Sequence, residues 1–174
     1  MRDYFPNREG ECFSTALANA LVSLPVPDKK IAEEVFNSLR SHELVIDNTL
    51  HIGVVTRVLF DTTRHRYNGT LYATFPRDLE QVTRDYYGRA ANDVISVMRQ
   101  EIKEGRIKDR LGDVTYKLPS LLLVNAAKNG EDLGHWIVDL GHGNYINGRR
   151  IFQTGRRVVT MGVLDFTFSK GKEE

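Results

Sequence analysis

The chain has 174 residues, of which 41% are hydrophobic and 27% are charged, values that are typical of a soluble globular protein. Its 24 basic residues nearly balance its 23 acidic ones, which argues against a protein held to nucleic acid by bulk charge. This length suits one domain, and the single cysteine excludes an intramolecular disulfide. We therefore predict one domain over residues 1–169, followed by a frayed tail over residues 170–174.

The hydropathy pattern predicts neither a membrane span nor a secretion signal. No apolar run approaches 18 residues, and the first residues lack an apolar segment. A free thiol survives best in a reducing compartment. These features together predict a cytoplasmic protein.

The first half of the chain is predicted to be mostly helical. Apolar residues recur at helical spacing over about 12–24, 28–39, 49–60, 78–87 and from 92 to the break at Gly105. Asp28 and Asn92 are predicted to cap the helices that follow them. Between the third and fourth helices, Asn68-Gly69 is the favoured two-residue turn of a hairpin.

The second half changes to short apolar runs that are typical of strands. The predicted strands cover about 118–124, 136–140, 145–152 and 157–168, and residues 141–144 form a short hairpin loop. Helices that precede an antiparallel sheet in this way indicate an α+β fold and argue against a doubly wound parallel sheet.

Cys12 is predicted to lie in the first turn of the first helix. A helix N-terminus lowers the pKa of a cysteine, because its unpaired N–H groups and dipole favour negative charge, and the thiolate is the nucleophile. Gly10 permits a sharp backbone turn just before the helix. A lone cysteine is also often a small buried hydrophobe. The polar residues before Cys12 and the apolar stripe after it favour the catalytic interpretation.

His135 is predicted to open an apolar strand, directly after Gly134, where a base is held rigidly and stays reachable. Asn147 on the return strand can orient the imidazole only if the loop has an odd number of residues or a bulge intervenes. Asp139, which shares the face of His135, and Asn144 are the alternative orienting residues. His42, His51, His65 and His142 are interpreted as surface or packing residues, and no metal-ligand spacing or cofactor motif is predicted.

The order of these residues resembles that of the papain-like cysteine peptidase superfamily. The segment from Gly10 to Leu21 is similar to its cysteine helix and also to the cysteine box of ubiquitin-specific proteases. In that box an oxyanion-hole Asn lies five residues before the Cys, the position of Asn7. The resemblance implies a papain-like fold, with the cysteine on the first of the N-terminal helices and these helices packed on a C-terminal antiparallel sheet.

The C-terminal part is closest in layout to the bacteriocin-processing peptidases, which share a Gly-His-aromatic strand like the one at 134–136. That group usually has an Asp-Pro pair where this chain has Asn147-Gly148, and the oxyanion Gln of papain is missing. Asn7 therefore stands in for it, or Glu9 or Glu11 plays another part. The resemblance implies a cysteine peptidase or related thiol hydrolase with Cys12, His135 and Asn147 as its catalytic residues, Asn7 in the oxyanion hole, and a peptide or protein substrate.

Two alternatives remain at the level of sequence. An acyltransferase would use the same Cys12–His135 pair with an amine as the acceptor. A binding module without turnover would use basic residues on one face to hold phosphate or an acidic chain, including nucleic acid. Solvated strand ends are the plainer interpretation of those residues, which are Arg149, Arg150, Arg156, Arg157 and the run from Arg64 to Arg66.

Overall fold

The computed structural model describes residues 3–47, 49–74, 78–112, 114–125, 134–155 and 160–168. The α-helices are α1 (Cys12–Val22), α2 (Lys29–Ser38), α3 (Val55–Thr62), α4 (Leu79–Tyr87) and α5 (Ala91–Lys103). The strands are β1 (Val45–Ile46), β2 (Thr49–Leu50), β3 (Tyr67–Ala73), β4 (Ile107–Asp109), β5 (Ser120–Asn125), β6 (Gly134–Gly141), β7 (Asn144–Asn147), β8 (Arg150–Gln153) and β9 (Thr160–Phe168). The predicted tail at 170–174 and Arg156 and Arg157 lie outside the described residues.

The strands form one seven-stranded sheet in the order β4-β3-β9-β5-β6-β7-β8, apart from the small β1–β2 pair. Every neighbouring pair in the large sheet is antiparallel except β3–β4, which is parallel. The α+β class is therefore confirmed, and the sheet is mixed, not purely antiparallel. The parallel pair arises because α4 and α5 form a crossover between β3 and β4, a connection that parallel strands require.

The main hydrophobic core lies between one face of the sheet and the first helices. Its buried members include Leu17 and Leu21 of α1, Val35 of α2, and Val138 and Ile146 of the sheet. A smaller cluster of Leu122, Ile137 and Val163 covers part of the opposite face. No helix in the described ranges combines the length and the apolar character that crossing a membrane requires.

The hairpin predicted at Asn68-Gly69 is wrong. These two residues lie inside the continuous strand β3, and the chain turns earlier, at Arg64 and His65, which both have positive φ. Gly69 is used for close packing, because a Cβ there would lie 2.9 Å from Cδ1 of Leu164 on the adjacent strand β9. A glycine that makes room for a neighbour is indistinguishable in sequence from one that makes a turn.

The third predicted helix begins later than expected. Leu50 pairs with Val45 in the β1–β2 hairpin, and a short 3₁₀ turn over Ile52–Val54 precedes α3. The side chain of His51 caps this turn by accepting from the N–H of Gly53 at 2.9 Å. The apolar spacing continues through this segment, although its residues form a short strand and a 3₁₀ turn in place of an α-helix.

Two further boundaries differ from the sequence predictions. Asn92 does not cap α5, because the helix continues from the preceding 3₁₀ turn and Oδ1 of Asn92 accepts instead from Arg84 at 3.2 Å. The strand predicted over 145–152 is two strands, β7 and β8, which are joined by a turn at Gly148-Arg149 with φ +59° at Gly148. Asp28 caps α2 and the chain leaves the helical conformation of α5 just before Gly105, as predicted.

Candidate active site

The start of α1 is shaped by the turn that precedes it. Gly10 has φ +72°, and the N–H of Glu11 donates to the carbonyl of Arg8 at 3.0 Å, which closes the turn before Cys12. Cys12 is the first helical residue and is only partly exposed. Cys12 thus stands at the helix N-terminus, as the sequence predicted, and its own N–H is one of the groups that lower the thiol pKa.

An aromatic contact holds α1 against β6 at this point. Phe13, which follows Cys12, and Trp136, which follows His135, meet edge to face with ring centroids 5.4 Å apart. Both rings are buried. Because each aromatic residue is the chain neighbour of a candidate catalytic residue, this packing brings Cys12 and His135 close together. The His135 ring and the N–H of Trp136 both lie near enough to the Cys12 thiol to lower its pKa.

The pKa values of the two groups move in opposite directions. Burial by itself raises the pKa of Cys12, but hydrogen bonds from His135 and from the Trp136 N–H, with the charge of His135, outweigh it and lower the thiol pKa below its ordinary value. The hydrogen bond with Cys12 raises the pKa of His135, although burial opposes this, and Asn147 adds to the rise. Both directions favour a thiolate–imidazolium pair that titrates as a unit.

Asn147 completes a line of hydrogen bonds behind the histidine. Its Oδ1 lies 2.8 Å from Nε2 of His135, which leaves Nδ1 as the ring nitrogen available to the sulfur. Asn147 and His135 lie on the same face of the sheet because strand β6 contains a bulge. Val138 pairs with Ile146 and Asp139 with Tyr145, but Gly141 pairs with Asn144, so Leu140 is an extra residue on β6. This is one of the two conditions under which the sequence allowed Asn147 to face His135.

Asn7 also lies at this site. Its Nδ2 donates to Oδ1 of Asn147 at 2.7 Å, so the same oxygen accepts from both Asn7 and His135. Asn7 is exposed to solvent. Its side chain packs so closely against Gly148 that a Cβ on Gly148 would lie 2.9 Å from Nδ2 of Asn7. The family resemblance implied that Asn7 lies in the oxyanion hole; its contact with Asn147 was not anticipated.

The two alternative orienting residues have other partners among the described contacts. Asp139 accepts from the hydroxyl of Tyr116 at 3.0 Å and from the N–H of Gly141 at 2.8 Å. The side chain of Asn144 donates to the carbonyl of Gly141 at 3.3 Å, at the loop end of the hairpin. Within the described residues, Asn147 is thus the orienting candidate that reaches His135.

The sequence singled out Glu11, directly before Cys12, but did not predict that its carboxylate is buried and paired. Glu11 is only 2% exposed, and its carboxylate pairs with the guanidinium groups of Arg40 and Arg8, the latter at 3.5 Å. Arg8 itself lies over the ring of Phe36, with 3.5 Å between the guanidinium carbon and the ring centroid. The two arginines balance a negative charge that would otherwise oppose a thiolate at the next residue. Glu9, by contrast, is exposed.

The basic residues predicted as an alternative binding face are mostly engaged elsewhere. Arg64 pairs with Glu34 at 3.1 Å and Arg66 with Asp28 at 3.3 Å. Arg149 donates to the carbonyl of Tyr4 at 3.3 Å. In the part of the chain that the structure describes, no group of three or more His, Cys, Asp or Glu side chains is arranged to hold a metal ion.

Comparisons with protein-family models, with curated proteins and with solved structures find no match to this chain. The case for its function therefore depends on the site itself.

Proposed function

We propose that this protein is a papain-like cysteine hydrolase that cleaves a peptide or amide bond with Cys12 as the nucleophile. The observation that carries the proposal is the 2.8 Å contact between Nε2 of His135 and Oδ1 of Asn147, on a ring whose pKa is raised by Cys12 and which lowers the pKa of Cys12 in turn. A nucleophile, a base and a group that orients the base are the three parts that acyl-transfer chemistry requires. The chain supplies them in the papain-like order, on a helix and two strands.

The proposed reaction begins with attack of the Cys12 thiolate on the substrate carbonyl carbon. The carbonyl oxygen gains negative charge, and the N–H of Cys12 with the second amide hydrogen of Asn7 supplies donors for it. Collapse of this intermediate breaks the C–N bond, and the imidazolium of His135 gives its proton to the departing amine. Water then attacks the thioester, His135 takes a proton from that water, and the acid product leaves with the thiolate restored.

The first test measures hydrolysis of a mixture of peptidyl-coumarin amides. His135→Asn removes the base, and His142→Asn is the matched control, because His142 lies in the hairpin loop of the same strand pair and its φ of +54° suits asparagine. We expect release of coumarin by the native chain and by His142→Asn, with a loss of at least about a hundredfold in His135→Asn. Equal rates in all three chains, or none in the native chain toward any member, would contradict the proposal.

The second test uses the fact that Cys12 is the only cysteine. Alkylation by iodoacetamide at pH 6 reports the thiolate of this residue alone, and a thiol with an ordinary pKa reacts slowly there. We expect faster alkylation in the native chain than in the chain unfolded in urea, and a decrease in His135→Asn. Adding glycinamide to the peptide assay distinguishes the acyltransferase alternative, because a new amide product would then replace the acid.

A further inference from the structure

Asn147 has an amide side chain that can face His135 in two orientations. With Oδ1 toward the ring, Nε2 must carry hydrogen and donate it, so in the neutral ring Nδ1 is the unprotonated base. With Nδ2 toward the ring, Nε2 must accept, and the hydrogen then lies on Nδ1, which no longer serves as a base for the thiol. The orientation of one amide thus decides whether the ring nitrogen next to the sulfur is able to take a proton.

The second donor to Asn147 favours this orientation as long as the Asn7 amide keeps its own. Nδ2 of Asn7 lies 2.7 Å from Oδ1 of Asn147, and a side-chain amide nitrogen only donates. A flipped Asn147 would set its own NH₂ group against that of Asn7, with two donors facing each other. The contact with Asn7 therefore favours the orientation in which Oδ1 also meets Nε2 of His135 at 2.8 Å.

The backbone segment that carries Asn7 is held in place by the fold. The buried side chain of Asn19 accepts from the N–H of Phe5 at 2.7 Å and donates to the carbonyl of Gly148 at 2.9 Å. It thereby ties the segment that carries Asn7 to the turn that follows Asn147. A Cβ on Gly148 would lie 2.9 Å from Nδ2 of Asn7, so the glycine leaves room for this amide.

From this juxtaposition we infer that Asn7 is a positioning residue, which holds the Asn147 amide in the orientation that keeps hydrogen on Nε2 of His135 and frees Nδ1 to act on Cys12. The inference rests on the proposed function, since it concerns the base of the same site. It gives Asn7 a role that differs from oxyanion stabilisation: one amide hydrogen of Asn7 serves Asn147, and the other remains available to the substrate oxygen.

The experiment is a double-mutant cycle with Asn7→Ala and Asn147→Asp. A carboxylate at 147 has no donor, so it accepts from His135 in either orientation and makes the orienting effect of Asn7 unnecessary. The readout is the rate of iodoacetamide alkylation of Cys12 as a function of pH, because that reaction forms no oxyanion. Nitrogen-15 spectra recorded at a pH where the His135 ring is neutral, with its signal assigned through His135→Asn, report the tautomer directly.

We expect Asn7→Ala to slow alkylation at pH 7 by roughly three- to tenfold, the equivalent of one hydrogen bond, and to increase hydrogen on Nδ1. In the Asn147→Asp background, the same substitution should change the rate less than about twofold. Equal losses in both backgrounds would indicate a merely structural role and overturn the inference, as would an unchanged His135 tautomer in Asn7→Ala. Failure of the proposed function shows separately, as an absence of peptide hydrolysis by the native chain, while the tautomer remains measurable.

Discussion

The side chain of Asn19 donates a hydrogen bond to the carbonyl oxygen of Gly148 across 129 positions of sequence, at 2.9 Å. Asn19 lies on the helix that begins with Cys12, and Gly148 follows Asn147 directly. The bond therefore connects the element that carries the nucleophile to the turn that follows the orienting amide. The same side chain also exchanges two hydrogen bonds with the backbone of Phe5. A buried asparagine with these partners joins three separate segments around the site.

Replacing Asn19 with alanine should destabilise the protein and weaken the site together. Three backbone groups lose their buried partner, which predicts a decrease of roughly 2–4 kcal/mol in the free energy of unfolding. Urea denaturation measures that change, and alkylation of Cys12 at pH 6 should slow in the folded variant. Asn37→Ala is the control, because Asn37 is exposed on α2. Equal stability of the two variants would contradict the role given to Asn19.

The charge on Glu11 should set part of the reactivity of Cys12. Its buried carboxylate precedes the thiol and opposes a second negative charge, while Arg8 and Arg40 offset it. Glu11→Gln removes the negative charge and leaves both arginines, so we expect the midpoint of the alkylation–pH curve to fall by roughly half a pH unit. Glu9→Gln, at an exposed position, should leave the midpoint in place. A midpoint that rises in Glu11→Gln would show that the carboxylate acts on the thiol in another way.

Much of the candidate site was predictable because its residues lie where local signals are strong. A polar segment with a glycine before an apolar stripe placed Cys12 at the start of a helix, and an apolar run placed His135 at the start of a strand. The facing of Asn147 was only conditional, since alternation along a strand reverses with one extra residue. The bulge at Leu140 decides it, and Gly141 beside the bulge is compatible with either a bulge or a plain turn.

The rest of the site was not predictable because it depends on contacts between distant segments. The pairing of Asn7 with Asn147 spans 140 positions, and that of Glu11 with Arg40 joins the turn before α1 to the 3₁₀ turn that follows α2. Asn19 did carry a signal, since it interrupts a helix whose other residues are nearly all apolar or small. Such a polar residue in a buried helix must find a partner, but the sequence does not say which one. Gly69 shows the opposite error, where a favourable local turn signal was overridden by packing against Leu164.

Acid should destabilise the protein through His51, which lies away from the candidate site. Burial lowers the pKa of His51 to about 4, and Nδ1 accepts from the N–H of Gly53 while Nε2 lies 3.0 Å from the hydroxyl of Thr83. The unfolded chain binds this proton near pH 6.5, so between pH 6.5 and 4 it holds more protons than the folded chain. Stability therefore rises with pH across that window and is lost as the pH falls, by on the order of 3 kcal/mol.

Denaturant titrations at several pH values measure this slope in the native chain and in two variants. His51→Asn keeps an acceptor for the Gly53 N–H but has no titrating ring, so its stability at pH 7.5 should be lower and its slope from pH 6.5 to 4 shallower. His65→Asn is the matched control, because His65 is exposed and its φ of +64° suits asparagine. A slope that is equally steep in His51→Asn would assign the acid sensitivity to other groups.

Gly148→Ala should separate backbone strain from the loss of the Asn7 contact. A Cβ at this position would lie 2.9 Å from Nδ2 and 3.1 Å from the backbone nitrogen of Asn7, so the segment that carries Asn7 has to move. Gly105→Ala is the control for strain alone, since Gly105 also has positive φ, at +75°, and a Cβ there meets no atom within 4 Å. Each alanine should cost about 1–2 kcal/mol for its left-handed conformation.

The additional effect of the Gly148→Ala clash should be roughly 1–3 kcal/mol of unfolding free energy, because the neighbouring backbone cannot yield as a flexible side chain does. Displacing Asn7 also removes the second donor to Asn147, so alkylation of Cys12 at pH 7 should slow in Gly148→Ala and stay at the native rate in Gly105→Ala. Equal alkylation rates in the two variants, with Gly148→Ala folded, would mean that Asn7 and Gly148 are packed together without consequence for the thiol. Slower alkylation in Gly148→Ala alone would show that the contact between Gly148 and Asn7 affects the protonation of Cys12.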